Sequence, residues 1–264
     1  MALCFIGNSH LAAVKLGWEA FATAKDAVEP AFFGSARNTL LHTRIEAGRL
    51  VPTDDVVERN FRSSAGQDAV PLSDFDGFVL IGSTLGLRSL VALSALHARF
   101  GEGADTRFLA SRAAIDAACH DLLFHSACGH VARLLVSTTD KPVWMVDRPQ
   151  PSEELLASDH PQAAAYRDMA SGEARDRLEA MLQRWRASAE AEGMRTLAQP
   201  AETLVDGWLT RQEFATGAKG IDGRKAYDAE DHFHMNARYG AELLRAIWPV
   251  VSESAQATPE PVTA

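Results

Sequence analysis

The sequence predicts an α/β fold, a three-layer α/β/α arrangement around a parallel sheet of about five strands. Three observations carry the prediction. First, dense apolar runs at 2–6, 76–83 and 141–147 stop at glycine or, in the last case, at the proline-rich turn RPQPS. Runs without polar alternation suit strands buried on both faces. Second, segments of helical apolar spacing separate them, most clearly over 173–192 and 236–250. Third, 264 residues at 47% hydrophobic and 23% charged are enough for a continuous core and unlike a disordered chain.

Each element has its own justification. The run 2–6 reads as a first strand meeting the turn Gly7-Asn8-Ser9, followed by an amphipathic helix with Leu11, Val14, Leu16, Trp18 and Phe21. A second strand is expected at 28–33, ending at Gly34, whereas 38–72 mixes short apolar pieces with polar turns and yields no assignment. DGFVLIGS at 76–83 is the clearest strand, 106–136 is Ala- and Leu-rich and helical, and KPVWMVD at 141–147 is a further strand. A helical region at about 150–192 reads as an elaboration over or beside the site, within the same domain because no linker isolates it. A last strand is expected at 195–199 and a final helix at 236–250. The segment 252–264, SESAQATPEPVTA, has two prolines and no apolar period, so residues 1–251 are expected to form the domain and the rest a disordered tail.

Composition excludes several partners. Twenty-six basic against 35 acidic residues give a net charge of −9, which repels nucleic acid and anionic lipid. No apolar run approaches the roughly 18 residues that membrane insertion requires. Cys4, Cys119 and Cys128 are too few for a disulfide framework, and MALCFIGNSH lacks a basic leader, so a cytoplasmic protein is expected. The cluster Cys119, His120, His125, Cys128 and His130 has zinc-ligand chemistry but no C-x-x-C or H-x₃-H pairing. Helix packing explains it better, and neither a metal nor a cofactor is expected.

Ligands of such sheets bind beyond the carboxyl ends of the strands. Ser9 stands where a strand hands over to a helix, a place for an N-cap or for a nucleophile beside unpaired N–H groups. Near the other end, Asp231-His232-Phe233-His234 precedes the final helix. A carboxylate three residues before a histidine can hold Nδ1–H and leave Nε2 free as a base. His232 adjoins Asp231, but adjacent side chains diverge, which favours His234.

Strand–GNS–helix at the start, with D-x-x-H before the last helix, resembles the SGNH (GDSL-like) hydrolase family. The resemblance implies a flavodoxin-like fold with Ser9 as nucleophile, His234 as base and Asp231 as its orienting carboxylate. It also implies Gly34 as an oxyanion N–H donor and Gly82 as the opening of the third motif. Two departures stand out: GNS replaces the usual GDS, and Gly82-Ser83-Thr84-Leu85 replaces G-x-N-D. Thr84 then occupies the oxyanion asparagine's position, with Ser83 and Asn38 as substitute donors. His10 either lines the pocket or simply begins the helix. The expected activity is a serine esterase acting on a small-molecule or carbohydrate ester, an O-acetyl group being one example. An O-acyltransferase acting on a glycan and a catalytically silent binding protein are the alternatives.

Overall fold

The computed structural model describes residues 1–22, 30–82, 86–99, 108–170 and 172–256. Five parallel strands form its centre: β1 (Leu3–Gly7), β2 (Ala31–Gly34), β3 (Gly77–Ile81), β4 (Val143–Val146) and β5 (Arg195–Leu197). Their spatial order is β5-β4-β3-β1-β2, so the winding reverses between β1 and β3. The crevice above that reversal is where doubly wound sheets bind ligands. The eight α-helices among the described residues are α1 (Leu11–Ala22), α2 (Asp55–Ala65), α3 (Leu87–Leu96), α4 (Arg112–Phe124), α5 (Ala127–Val136), α6 (Ala163–Asp168), α7 (Gly172–Ala191) and α8 (Ala237–Gln256). None is long and apolar enough to cross a membrane.

The three layers follow from strand alternation. Leu3 and Phe5 of β1, with Val79 and Ile81 of β3, face a core shared with α1 and α8. Cys4 and Ile6, with Phe78 and Leu80, face the opposite core, built with α2, α4, α5 and α7. Both faces are therefore apolar, which is why these strands read as unbroken runs.

One contact matters most for the site. Helices α1 and α8 cross with their backbones almost touching, because both carry glycine at the crossing. A Cβ on Gly17 would lie 2.4 Å from the Ala241 nitrogen, and one on Gly240 would lie 1.8 Å from the Ala13 carbonyl oxygen. The segments just before these helices, carrying Ser9 and His234, are thereby drawn to the same edge.

Several expectations change. The described part of the second strand starts at Ala31, and residues 28 and 29 lie outside the described residues. The unassigned stretch 38–72 holds α2 and an antiparallel sheet of Thr43–Glu46, Arg49–Pro52 and Val70–Pro71. The region 106–136 is not one helix: Phe108–Ala110 is a short strand paired with His97–Arg99, and α4 stops before α5 starts. Ser126 makes the break, its hydroxyl capping the Gly129 N–H. Finally, α8 continues to Gln256, so residues 252–256 are helical and not part of a disordered tail. Val251 and Ala255 are buried and extend the stripe of Leu244 and Ile247 by further turns. Residues 257–264 lie outside the described residues.

Candidate active site

Ser9 follows β1 by two residues, at the start of α1. The turn is held by Asn8, which is buried and whose Oδ1 accepts from the His10 N–H at 3.1 Å. Gly82, at the carboxyl end of β3, abuts this turn at φ +105°, and a Cβ there would lie 2.1 Å from Asn8 Oδ1. That position requires glycine for both conformation and space. The Ser9 N–H, ahead of the first helical turn, donates to no described group and remains available.

His234 meets Ser9 across 225 residues of sequence, with Nε2 2.8 Å from Ser9 Oγ. On its other side, Nδ1 donates to Asp231 Oδ2 at 2.7 Å. The second carboxylate oxygen accepts the N–H groups of Phe233 and His234 at 2.8 and 3.0 Å. This turn is what the D-x-x-H spacing builds: one oxygen fixes the loop and the other fixes the ring. Burial alone would raise the Asp231 pKa, but the hydrogen bonds from His234 and the Phe233 N–H outweigh it and hold the carboxyl at about 2. Asp231 is therefore ionised at all ordinary pH values, and the imidazole keeps its Nδ1–H tautomer.

The His234 ring is clamped on both faces. Tyr227 stacks on it with centroids 3.8 Å apart and planes at 5°, and His10 stacks at 5.0 Å and 19°. His10 is buried and its Nε2 accepts from Arg148 Nε at 3.2 Å. Desolvation, and then the charges of Arg148, His234 and Arg88, push the His10 pKa well below the usual histidine value. His10 is thus a neutral ring packed against the His234 ring.

Two recesses flank Ser9 and His234. One, of about 160 Å³, lies beside Ser9 and is lined by Gly34, Ser35, Asn60, Ile221 and Tyr227, among others. The other, of about 620 Å³, is more open and lies beside Asp231 and His234, with Arg88, His160 and Phe233 in its wall. Its outer edge touches the helical elaboration, which is tied down where the Ser152 N–H donates to the His232 carbonyl at 2.7 Å.

The structure brings together Ser9, His234, Asp231 and His10. It corrects the role expected of Gly34. That residue lines the smaller recess, but its N–H donates to Ser64 Oγ of α2 at 2.9 Å and is not directed at an oxyanion. Asn38 is exposed and lines neither recess. Ser83 and Thr84 lie outside the described residues. Asn60 of α2 lines the smaller recess instead and donates one Nδ2 hydrogen to Ser35 Oγ at 3.0 Å, with a second hydrogen to give. The candidate zinc cluster disperses: His120 packs on Phe124, His125 pairs with Asp121, and His130 contacts the Thr43 carbonyl.

Fold and site together describe an α/β protein in which Ser9, His234 and Asp231 stand in one hydrogen-bonded line at the carboxyl edge of a parallel sheet. No protein-family model and no curated protein matches the chain. Among solved structures it is similar to a GDSL-like lipase from Bacteroides thetaiotaomicron, at 12% identity and a TM-score of 0.46 over 96% of this chain and 88% of that one. It is also similar to the periplasmic domain of a lipopolysaccharide acetyltransferase from Salmonella ser. Paratyphi A, at 11% identity and a TM-score of 0.43 over 95% and 83% of the two chains.

Proposed function

We propose that this protein is a serine acyl hydrolase that cleaves a small ester through an acyl-enzyme on Ser9. The observation that carries the reading is the unbroken relay from Ser9 Oγ to His234 Nε2 at 2.8 Å and from Nδ1 to Asp231 at 2.7 Å. His234 accepts the Ser9 proton as the oxygen attacks the ester carbonyl, and the charged imidazolium is stabilised by the Asp231 carboxylate. The tetrahedral oxyanion takes the free Ser9 N–H and the second amide hydrogen of Asn60. Collapse breaks the ester C–O bond, and His234 returns the proton to the departing alcohol. Water then attacks the acyl-Ser9 carbonyl, with His234 as base, to release the acid.

The recesses divide the substrate. About 160 Å³ beside Ser9 is well below the roughly 300–1,000 Å³ of a drug-sized ligand site and suits a short acyl chain such as acetyl. The open recess of about 620 Å³ takes the larger alcohol part. The test is covalent. An organophosphonate ester should label Ser9 and no other serine, and Ser9→Ala should lose at least about 10³-fold of aryl acetate hydrolysis. Folded protein that resists labelling, with Ser9→Ala hydrolysing at the parental rate, overturns the proposal.

A further inference from the structure

The smaller recess gives few donors to the oxyanion that ester cleavage forms. Gly34 spends its N–H on Ser64, and Asn60 gives one of its two amide hydrogens to Ser35. The same wall carries a hydroxyl that the line from Ser9 to Asp231 does not use. Tyr227 borders this recess together with Ser9 and Asn60, and a phenol can donate one hydrogen bond.

The fold holds that hydroxyl in place. Residues 218–227 form a closed loop: the Gly220 N–H donates to the Lys225 carbonyl at 2.7 Å, Lys219 and Ala226 are bridged, and the Tyr227 N–H donates to the Ala218 carbonyl at 3.0 Å. Ile221 of this loop fills the space that Gly34 leaves, since a Cβ on Gly34 would lie 2.6 Å from Ile221 Cδ1. The Tyr227 ring then lies parallel to the His234 ring, 3.8 Å away and at 5°. A phenol oxygen lies in the plane of its own ring, so at this angle the hydroxyl runs along the imidazole face instead of into it. Ser9 Oγ stands at the edge of that imidazole, 2.8 Å from Nε2, and the Tyr227 hydroxyl is within hydrogen-bonding reach of Ser9. Among the described residues no other group bonds to it. Burial pushes the phenol pKa up, against the opposing effect of the bond to Ser9, so Tyr227 keeps its proton and donates. Ser9 gives its own hydrogen to His234, which leaves the lone pairs of Oγ to accept.

We infer that Tyr227 is a further catalytic residue, whose hydroxyl donates to Ser9 Oγ at rest and to the substrate oxyanion once Oγ has attacked. As Oγ commits a lone pair to the new C–O bond, negative charge gathers on the carbonyl oxygen of the same carbon. The hydroxyl turns to that oxygen without releasing its proton, joining the Ser9 N–H and Asn60 as a third donor. His234 remains the only group that moves a proton.

The inference rests on the acyl-hydrolase reading, and its test separates the two. Tyr227→Phe keeps the stacked ring and removes only the hydroxyl. In steady-state aryl acetate hydrolysis by the full chain, kcat should fall about 10²-fold with KM within about threefold of the parent and the melting temperature little changed. Methylboronic acid adds Ser9 Oγ to give a tetrahedral boronate, which places an oxygen where the oxyanion forms. Its inhibition constant should rise at least tenfold in Tyr227→Phe, a change that ring packing alone does not produce. A kcat within fivefold of the parent, or an unchanged boronate constant beside a reduced kcat, overturns the inference. Organophosphonate labelling of Ser9 in the parental chain reports separately on the hydrolase. Labelled parent beside unimpaired Tyr227→Phe removes the role of the hydroxyl alone. Unlabelled parent, with Ser9→Ala hydrolysing at the parental rate, removes the hydrolase and this inference with it.

Discussion

Replacing Asp231 by asparagine tests the relay at its least replaceable point. The substitution keeps an amide oxygen for the Phe233 and His234 N–H groups, so the turn survives. It places an NH₂ donor against His234 Nδ1, which must then accept. The proton moves to Nε2, which now faces Ser9 Oγ as a donor, and no base remains. Turnover should fall by about 10³–10⁴-fold with little change in KM. Stability offers a second readout. The carboxyl stands at about 2, against 3.8 for an ordinary aspartate. That difference corresponds to about 2.5 kcal/mol, reduced to about 1–2 kcal/mol by solvent screening at a partly exposed group. Because the folded value lies below the unfolded one, this stabilisation is complete above about pH 4 and disappears as pH falls toward 2. Asp231→Asn should therefore lower the melting temperature at neutral pH and flatten this part of the acid limb. Steady-state aryl acetate kinetics, with thermal melts from pH 2 to 7, measure both effects. A folded variant whose turnover stays within tenfold of the parent refutes the assignment of His234 as a base oriented by Asp231.

Other outcomes follow from the same geometry. Gly240→Ala places a methyl group 1.8 Å from the Ala13 carbonyl oxygen, so α1 and α8 must separate; a loss of about 3 kcal/mol in denaturant unfolding is expected, with hydrolysis falling as well. Tyr227→Ala removes one face of the clamp on His234 and should reduce turnover about tenfold below that of Tyr227→Phe while changing the melting temperature little; a rate equal to that of Tyr227→Phe would show that the stacking does not position the base. His10 is buried and neutral in the fold but gains a proton near pH 6.5 when unfolded, so stability should decline as pH drops below that value. His10→Gln should remove this decline, as melts at pH 7.5 and 5 will show.

Legibility in the sequence followed burial and local spacing. β1, β3 and β4 were readable because both faces of each strand meet apolar layers, leaving no polar alternation to confuse them. Asp231 and His234 were readable because their hydrogen bonds close within one turn of chain. The antiparallel sheet within 38–72 was not, since its hairpin turns on Ala47 and Gly48 at φ 48° and 71°, and an alanine at positive φ gives no warning in sequence. The hairpin of Leu204–Val205 and Leu209–Thr210 did carry a signal, the pair Asp206-Gly207, and so did the far end of α8 in Val251 and Ala255. Asn60 and Tyr227 had none. Each sits in a segment whose pattern describes only its own element, and both reach the recess beside Ser9 only through the tertiary fold. Gly34 shows the reverse error: its position matched, but Ser64, thirty residues away, holds its N–H.

The glycine-lined crossing of α1 and α8 has a consequence for folding. Ser9 and His234 are 225 residues apart in sequence, and their hydrogen bond depends on the docking of α8 against α1. Where α8 is not docked against α1, the Ser9 hydroxyl lacks the His234 imidazole that the proposed mechanism assigns to deprotonate it. On the proposed mechanism, fragments that lack Asp231 and His234 should not hydrolyse esters. Closing so long a loop comes late in folding, after the local elements have formed. On the proposed mechanism, a cleavage that frees α8 should abolish ester hydrolysis while leaving Ser9 itself chemically unchanged.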